Sequence, residues 1–180
     1  MNTHVVKEEF IRKAALKEIA YKMLIAARTA PKAKGIDNLV LALVEGEKVE
    51  EISKHLKMLS EKYEIDTFAR DAENILSASV MLLLGTKVHP LGLRKCGMCG
   101  FENCEKKNAF TNVPCVFNTG DLGIAIGSAV SVAMDHRVDN RIMYTVGQAI
   151  IDMNLLGEEV KVAYAIPLSA TSKNPFFDRK

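Results

Sequence analysis

Four cysteines, Cys96, Cys99, Cys104 and Cys115, lie close together in a 180-residue chain that has no other cysteine. They fall in the one stretch, about residues 85–119, that shows little hydrophobic periodicity. This stretch carries His89-Pro90, Gly92, Gly97, Gly100 and Pro114, with Gly120 at its far edge. A connection this long without secondary structure of its own is uncommon in a compact domain, and is usually functional where it occurs. With no apolar repeat to bury, the segment needs something other than a hydrophobic core to hold it. A metal site would do so.

The spacing Cys-x2-Cys-x4-Cys-x10-Cys separates two metal chemistries. Structural zinc usually takes its ligands as two separated knuckles, and here only Cys96 and Cys99 form such a pair. A four-iron cubane tolerates irregular spacing and is ordinarily held by four cysteines. The usual bacterial ferredoxin run places Pro after its last cysteine, whereas Pro114 precedes Cys115. Gly97 and Gly100 each follow a cysteine, where glycine allows positive φ and close approach of the backbone to a cluster. Phe101, Val113, Val116 and Phe117 are placed to shield such a centre, and Arg94, Lys95, Lys106 and Lys107 to offset its negative charge. The expected ligands are therefore Cys96, Cys99, Cys104 and Cys115 on a 4Fe-4S cluster, with zinc as the alternative. With no second histidine at ligand spacing, His89 reads as a loop residue.

The rest of the chain looks like one ordinary domain. Hydrophobic residues make up 48% and charged residues 26%, a globular mixture, and the net charge of +2 gives no field that points to nucleic acid. The first 36 residues hold eight Lys or Arg against three Glu, spread along a helical pattern that reads as a solvated face. Met1-Asn2-Thr3-His4 lacks signal-peptide architecture, and the longest apolar run, Leu39 to Val44, is too short to span a bilayer. The expectation is a cytoplasmic protein with no membrane or nucleic-acid partner. That compartment keeps thiols reduced, which favours metal binding over disulfides.

Periodicity predicts a helix over residues 5–29, with Leu16, Ile19, Ala20, Met23, Leu24 and Ala27 forming one stripe that Pro31 and Gly35 end. Residues 39–44 read as a strand covered on both faces. Val49, Ile52, Leu56 and Leu59 mark a second helix, and Phe68, Ala72, Ile75, Leu76 and Ser79 a third. The third leads into a buried strand at Val80 to Leu84. After the cysteines, Leu122, Ala125, Ile126, Ala129, Val130 and Ala133 mark a helix, with Thr119 or Asp121 as its expected N-cap. Ile142, Val146, Ala149, Ile150 and Met153 mark another, and Val160, Val162, Tyr164 and Ile166 alternate as a last strand. Gly123 and Gly127, one turn apart with Ser131 following, suggest close helix packing. The fold class is α+β: a single domain over residues 1–180, with helices on a small mixed sheet and a cysteine insert at about 85–119.

Hydrolytic chemistry finds no support. There is no P-loop, G-x-G-x-x-G, G-x-S-x-G or H-E-x-x-H, and His4, His55, His89 and His136 are scattered. No catalytic residue can be assigned from the sequence.

Two resemblances add to this reading. The string Cys96-Gly97-Met98-Cys99-Gly100-Phe101-Glu102-Asn103-Cys104 resembles the start of the four-iron cluster domain of electron-transfer and carbon monoxide dehydrogenase-associated proteins, where a longer gap precedes the fourth cysteine. Nearly the whole chain resembles the ferredoxin-domain-containing proteins of bacteria and archaea, through the cysteine block and the turn Phe117-Asn118-Thr119-Gly120-Asp121-Leu122-Gly123. A fainter similarity, Ala26-Ala27-Arg28-Thr29-Ala30-Pro31 followed by Asn38-Leu39-Val40, reaches the nitroreductase-like flavoproteins.

The last resemblance implies a nitroreductase-like fold that cups FMN. The Arg-Arg-Ser segment that grips the phosphate there is absent here, as is an Asn-Gln-Pro stretch. Arg28, Lys32, Lys34 and Asn38 are the candidate substitutes, and the bland alternative is a basic turn that caps a helix. The resemblance also implies a homodimer with exchanged C-terminal segments, for which Phe176-Phe177 would be the anchor. The expected function is an iron–sulfur redox protein that carries electrons through a 4Fe-4S cluster, extended by FMN to a flavin-linked reductase. Its redox partner is not legible. The alternative is a non-enzymatic module with a structural iron–sulfur or zinc site, or a redox sensor.

Overall fold

The computed structural model describes residues 5–177; His4 and the last three residues of the tail lie outside them. The elements run α1 (Glu8–Thr29), β1 (Leu39–Val44), α2 (Glu47–Tyr63), α3 (Asp66–Ile75), β2 (Val80–Lys87), α4 (Cys104–Asn108), α5 (Val116–Asp135), β3 (Asp139–Asn140), α6 (Tyr144–Asp152) and β4 (Val160–Ser169). The α+β expectation holds. The sheet has the order β1-β2-β4-β3, and every pairing is antiparallel rather than mixed.

The side-chain alternation of β2 explains the layering. Met81 and Leu83 point to one face, where Ile52, Leu56, Ala72, Ile75, Val146 and Ile150 of α2, α3 and α6 cover them. Val80, Leu82 and Leu84 point to the other, against Ala20 and Met23 of α1 and Leu122, Ala125 and Ala129 of α5. Successive strand residues face opposite sides, so a run of apolar residues needs helices on both. Each of these leucines, fully removed from water, contributes roughly 2 kcal/mol of transfer free energy. β1 is covered in the same two-sided way, but as an edge strand it keeps only Leu39 fully buried.

The glycines correct one expectation. At Gly123 and Gly127 an added Cβ would meet nothing within 4 Å, so they do not serve close helix packing; their face of α5 is open. Close packing occurs at Gly147 of α6, where a Cβ would lie 1.9 Å from the Ala163 carbonyl oxygen of β4. The α1–α5 contact is made instead by Ser128, whose hydroxyl donates to the Ala26 carbonyl at 3.0 Å. Among the described residues α5 alone is long and apolar enough, by length and composition, to cross a membrane; its buried stripe lies on α1 and β2.

A buried charge network joins α3, α6 and the tail. Asp71, 2% exposed, accepts from the Thr145 hydroxyl at 2.6 Å and from Arg70 Nε at 3.0 Å. Arg141 lies 3.5 Å from the same carboxylate and donates to the Phe176 carbonyl at 2.8 Å. Phe176 is fully buried in the core on the α2, α3 and α6 side of the sheet, and the exposed Phe177 ring centroid sits 5.3 Å from the Arg141 guanidinium. The anchor foreseen for an exchanged segment is thus seated at home in this single chain.

Candidate metal centre

The cysteine segment leaves the sheet at the end of β2. The Lys87 N–H donates to the Asn38 carbonyl at 3.0 Å, and the Val88 N–H to the Glu159 carbonyl at 3.3 Å. The chain is then fastened to α5. Asn118, fully buried, accepts from the His89 N–H through Oδ1 and donates to the His89 carbonyl through Nδ2, both at 3.0 Å. Two bonds between one carboxamide and the backbone of one residue bring the two ends of the loop side by side. Lys34 Nζ adds a bond to the Leu91 carbonyl at 3.1 Å.

Inside the loop, Gly97 has φ 103° and Gly100 φ 88°, a backbone region that other residues rarely adopt. The Gly100 N–H donates to the Gly97 carbonyl at 2.9 Å and closes a turn around Cys99. Asn103 caps the short α4, its Oδ1 accepting from the Lys106 N–H at 2.9 Å, so that Cys104 opens that helix. Phe101 stacks on Phe110 with ring centroids 5.2 Å apart. Val113, part of the expected shield, is exposed, and so is Phe110. Arg94, Lys95 and Lys106 are also exposed. Lys107 is not: it is 2% exposed and forms no salt bridge with any described carboxylate.

The fourth cysteine stands apart from the others. Cys115 is buried and is itself the N-cap residue of α5, with its carbonyl accepting from the Asn118 N–H at 2.9 Å. The helix therefore starts earlier than Thr119 or Asp121, the expected caps. Those polar residues serve other bonds: Thr119 Oγ1 donates to the Val116 carbonyl at 2.9 Å, and both Asp121 oxygens accept from the Ala33 N–H at 3.1 Å. The remaining three cysteines are half-buried, and all four are free thiols. Among the described residues no three His, Cys, Asp or Glu side chains converge closely enough to hold a metal ion.

The donor chemistry nevertheless suits a cluster. Four reduced thiols share one segment with closed ends, beside two positive-φ glycines. Ligation would require the thiols to deprotonate.

The four residues considered for an FMN phosphate have different fates. Arg28 donates to Asp37 Oδ2 at 2.6 Å and to the Leu39 carbonyl at 3.2 Å. Lys32 caps α1, donating to the Ala27 carbonyl at 3.0 Å and to the Arg28 carbonyl. Lys34 holds Leu91. Burial pushes the Asp37 carboxyl up, but the Arg28 bond, the Leu39 N–H and the Lys32 charge outweigh it and hold it below the usual range. Of the four, Asn38 alone has an unpartnered polar atom: its Nδ2 is buried and has no hydrogen-bond partner. It lines a cavity of about 510 Å³ together with Lys87, His89, Thr111, Asn112 and Lys161, so this cavity touches the cysteine segment. A slightly larger cavity of about 550 Å³, beside Lys13, Gly46 and Ser79, contains neither a thiol nor an unpartnered polar atom. The smaller one carries the chemical interest.

The fold is that of the nitroreductase-like oxidoreductases, here with a cysteine-rich loop between the second strand and the fifth helix. The nitroreductase CinD from Lactococcus lactis in complex with nicotinic acid is similar with a TM-score of 0.62 at 11% identity, over 96% of this chain and 83% of that one. A nitroreductase family protein from Clostridium novyi matches with a TM-score of 0.61 at 17% identity, over 99% and 80%. A nitroreductase with bound FMN from Bacteroides fragilis gives 0.61 at 14%, over 91% and 81%. In sequence, an uncharacterized protein of Archaeoglobus fulgidus is 36% identical over 182 residues, covering 97% of each chain. The family model described as "Uncharacterized protein containing a ferredoxin domain (DUF2148)" matches residues 111–179, a span that includes Cys115. The chain belongs to this ferredoxin-domain family.

Proposed function

We propose that this protein is an iron–sulfur redox protein in which Cys96, Cys99, Cys104 and Cys115 hold a 4Fe-4S cluster. The observation that carries the reading is the closed loop itself. Four free thiols lie in one segment whose ends are joined by Asn118 and His89, within a ferredoxin-domain family. When bound, the cluster supplies one-electron transfer. The chain's own residues do the rest. The cysteines would ligate as thiolates, and Gly97 and Gly100 let the backbone turn closely past them.

A flavin-linked reductase is a second reading, favoured by one specific observation. Asn38, whose buried Nδ2 has no partner, lines a cavity together with Lys161 and His89, and this cavity borders the cysteine segment at Thr111 and Asn112. An amide donor and a cation are what a flavin's carbonyl and phosphate oxygens require. Several proteins of the same fold are flavoproteins by name. Here Asn38, Lys161 and His89 would hold the FMN, because Arg28, Lys32 and Lys34 already bond to protein atoms.

Anaerobic purification followed by visible spectroscopy, iron and sulfide analysis and flavin release tests both readings. The expected result is a brown protein with about four iron and four sulfide per chain. A colourless protein with neither iron nor sulfide overturns the cluster reading, and stoichiometric zinc replaces it with a structural site. Absence of released FMN overturns the flavin reading. Cys99→Ser should lose the cluster and keep the fold; joint loss of fold and metal would make the site a structural staple.

A further inference from the structure

We infer that residues 92–114 form a strap beside the cavity at Asn38, and that a ligand in this cavity closes the strap and so restricts access to Cys96, Cys99 and Cys104. This rests on the flavin reading above, with FMN as the ligand. The strap is tied down at its ends. At its entrance Asn118 holds the His89 backbone, and Lys34 Nζ donates to the Leu91 carbonyl. At its exit Cys115 is buried as the N-cap residue of α5. Between these points the hydrogen bonds are internal: Gly100 to Gly97, Lys106 and Lys107 to Asn103, Phe110 to Lys107 and Val113 to Phe110. Among the described residues none joins 92–114 to the sheet or to the long helices. No apolar side chain in this stretch is buried, and none belongs to either hydrophobic core. Segments with so little burial lie at the low end of local stability and open without the rest of the fold.

The cavity has one wall on each side of this division. Asn38, Lys87, Glu159 and Lys161 stand at the ends of β1, β2 and β4 and stay with the sheet. Thr111 and Asn112 belong to the strap, and His89 to its entrance. A ligand that touches both walls makes all its contacts only while the strap is seated. It therefore binds the seated form more tightly than the open one, and by linkage holds the strap shut. No cysteine lines the cavity, so a ligand there does not shield a thiol by contact. Any protection of the thiols must come through the strap.

The test uses the full chain, reduced and treated with a chelator. FMN affinity is measured by fluorescence quenching. Amide hydrogen exchange and iodoacetamide labelling of each cysteine are followed by mass spectrometry, with and without saturating FMN. FMN should slow both exchange over residues 92–114 and labelling of Cys96, Cys99 and Cys104 by at least about fivefold, the lower end of usual coupling between sites. Exchange in α2 and α3 should not change. The double variant Thr111→Ala/Asn112→Ala should bind FMN more weakly and lose most of the protection. FMN that binds wild type and slows neither process overturns the inference and leaves the flavin reading standing. Unchanged affinity and protection in the double variant overturn it too, because the strap then contributes no contact. Unfolding of the whole chain on chelation overturns it as well, since the strap is then not a separable unit. Wild-type protein that binds no FMN overturns the reading and the inference together.

Discussion

Asn118 grips the backbone of His89 from both directions, accepting its N–H and donating to its carbonyl at 3.0 Å each. Asn118 follows Cys115 by less than one turn of α5, and His89 stands at the entrance of the cysteine loop. One side chain thus sets where the loop begins relative to its last thiol.

Asn118→Ala removes both bonds and leaves the His89 N–H and carbonyl without these partners. The expected cost is about 2–3 kcal/mol, measured by urea unfolding, together with a lower iron content in anaerobically purified protein. A change of less than about 0.5 kcal/mol with full iron would show that the loop ends are held by other means.

The importance of Asn118 was hidden in the sequence for a physical reason. In Phe117-Asn118-Thr119-Gly120-Asp121 three polar residues precede an apolar helical stripe, the local pattern of an N-cap. Each is instead engaged elsewhere: Asn118 on His89, Thr119 on Val116, Asp121 on Ala33. Tertiary bonds of this kind leave no periodic trace. The thiols were legible because four cysteines in one segment are conspicuous without any knowledge of the fold.

Glycine substitutions should act with opposite signs. Gly147→Ala drives a Cβ to 1.9 Å from the Ala163 carbonyl oxygen and 2.7 Å from its carbon, backbone atoms that cannot move aside freely. It should destabilise by about 3 kcal/mol or more. Gly123→Ala and Gly127→Ala meet open space within a helix, and each should stabilise by about 0.5–1 kcal/mol. Thermal melting distinguishes them, since roughly 1 kcal/mol corresponds to about 2–4 °C in a domain of this size. A lower melting temperature for Gly123→Ala would show that this face of α5 is covered in solution.

The layering itself was readable. The apolar run Leu39–Val44 coincides with β1 end to end, and the stripes of α1 and α2 follow the helical period, because half-burial imposes the period on the residues directly. Gly147 gave no such signal. Its neighbour is the backbone of β4, and close approach to backbone writes nothing into the sequence except the absence of a side chain.

Phe176 and Phe177 look alike in sequence and differ completely in the fold. Phe176→Ala should cost about 3–5 kcal/mol, because the ring is fully buried in the core under α2, α3 and α6. Phe177→Ala removes an exposed ring beside Arg141 and should cost about 0.5–1 kcal/mol. Urea titration of both variants checks this. Near-equal losses would mean that the tail is not seated on its own chain. A chain truncated after Ala170 should be destabilised by at least as much as Phe176→Ala, whatever mass it shows by light scattering.

Asp37 gives the turn after α1 a pH dependence whose sign follows from its partners. Its carboxyl is held below the ordinary 3.8: burial raises it, and the Arg28 bond, the Leu39 N–H and the nearby Lys32 together lower it by more. A carboxylate with a depressed folded-state pKa contributes stability that is present above the unfolded value and lost as pH falls through the folded one. The loss should therefore occur below about pH 4, with no contribution from this residue to any change above pH 5. Asp37→Asn keeps the size of the side chain and removes the titration. In urea unfolding at stepped pH, wild type and Asp37→Asn should differ at pH 7, with wild type the more stable, and converge as pH falls below 4. A constant difference across that range would mean that the Arg28–Asp37 pair adds nothing through charge.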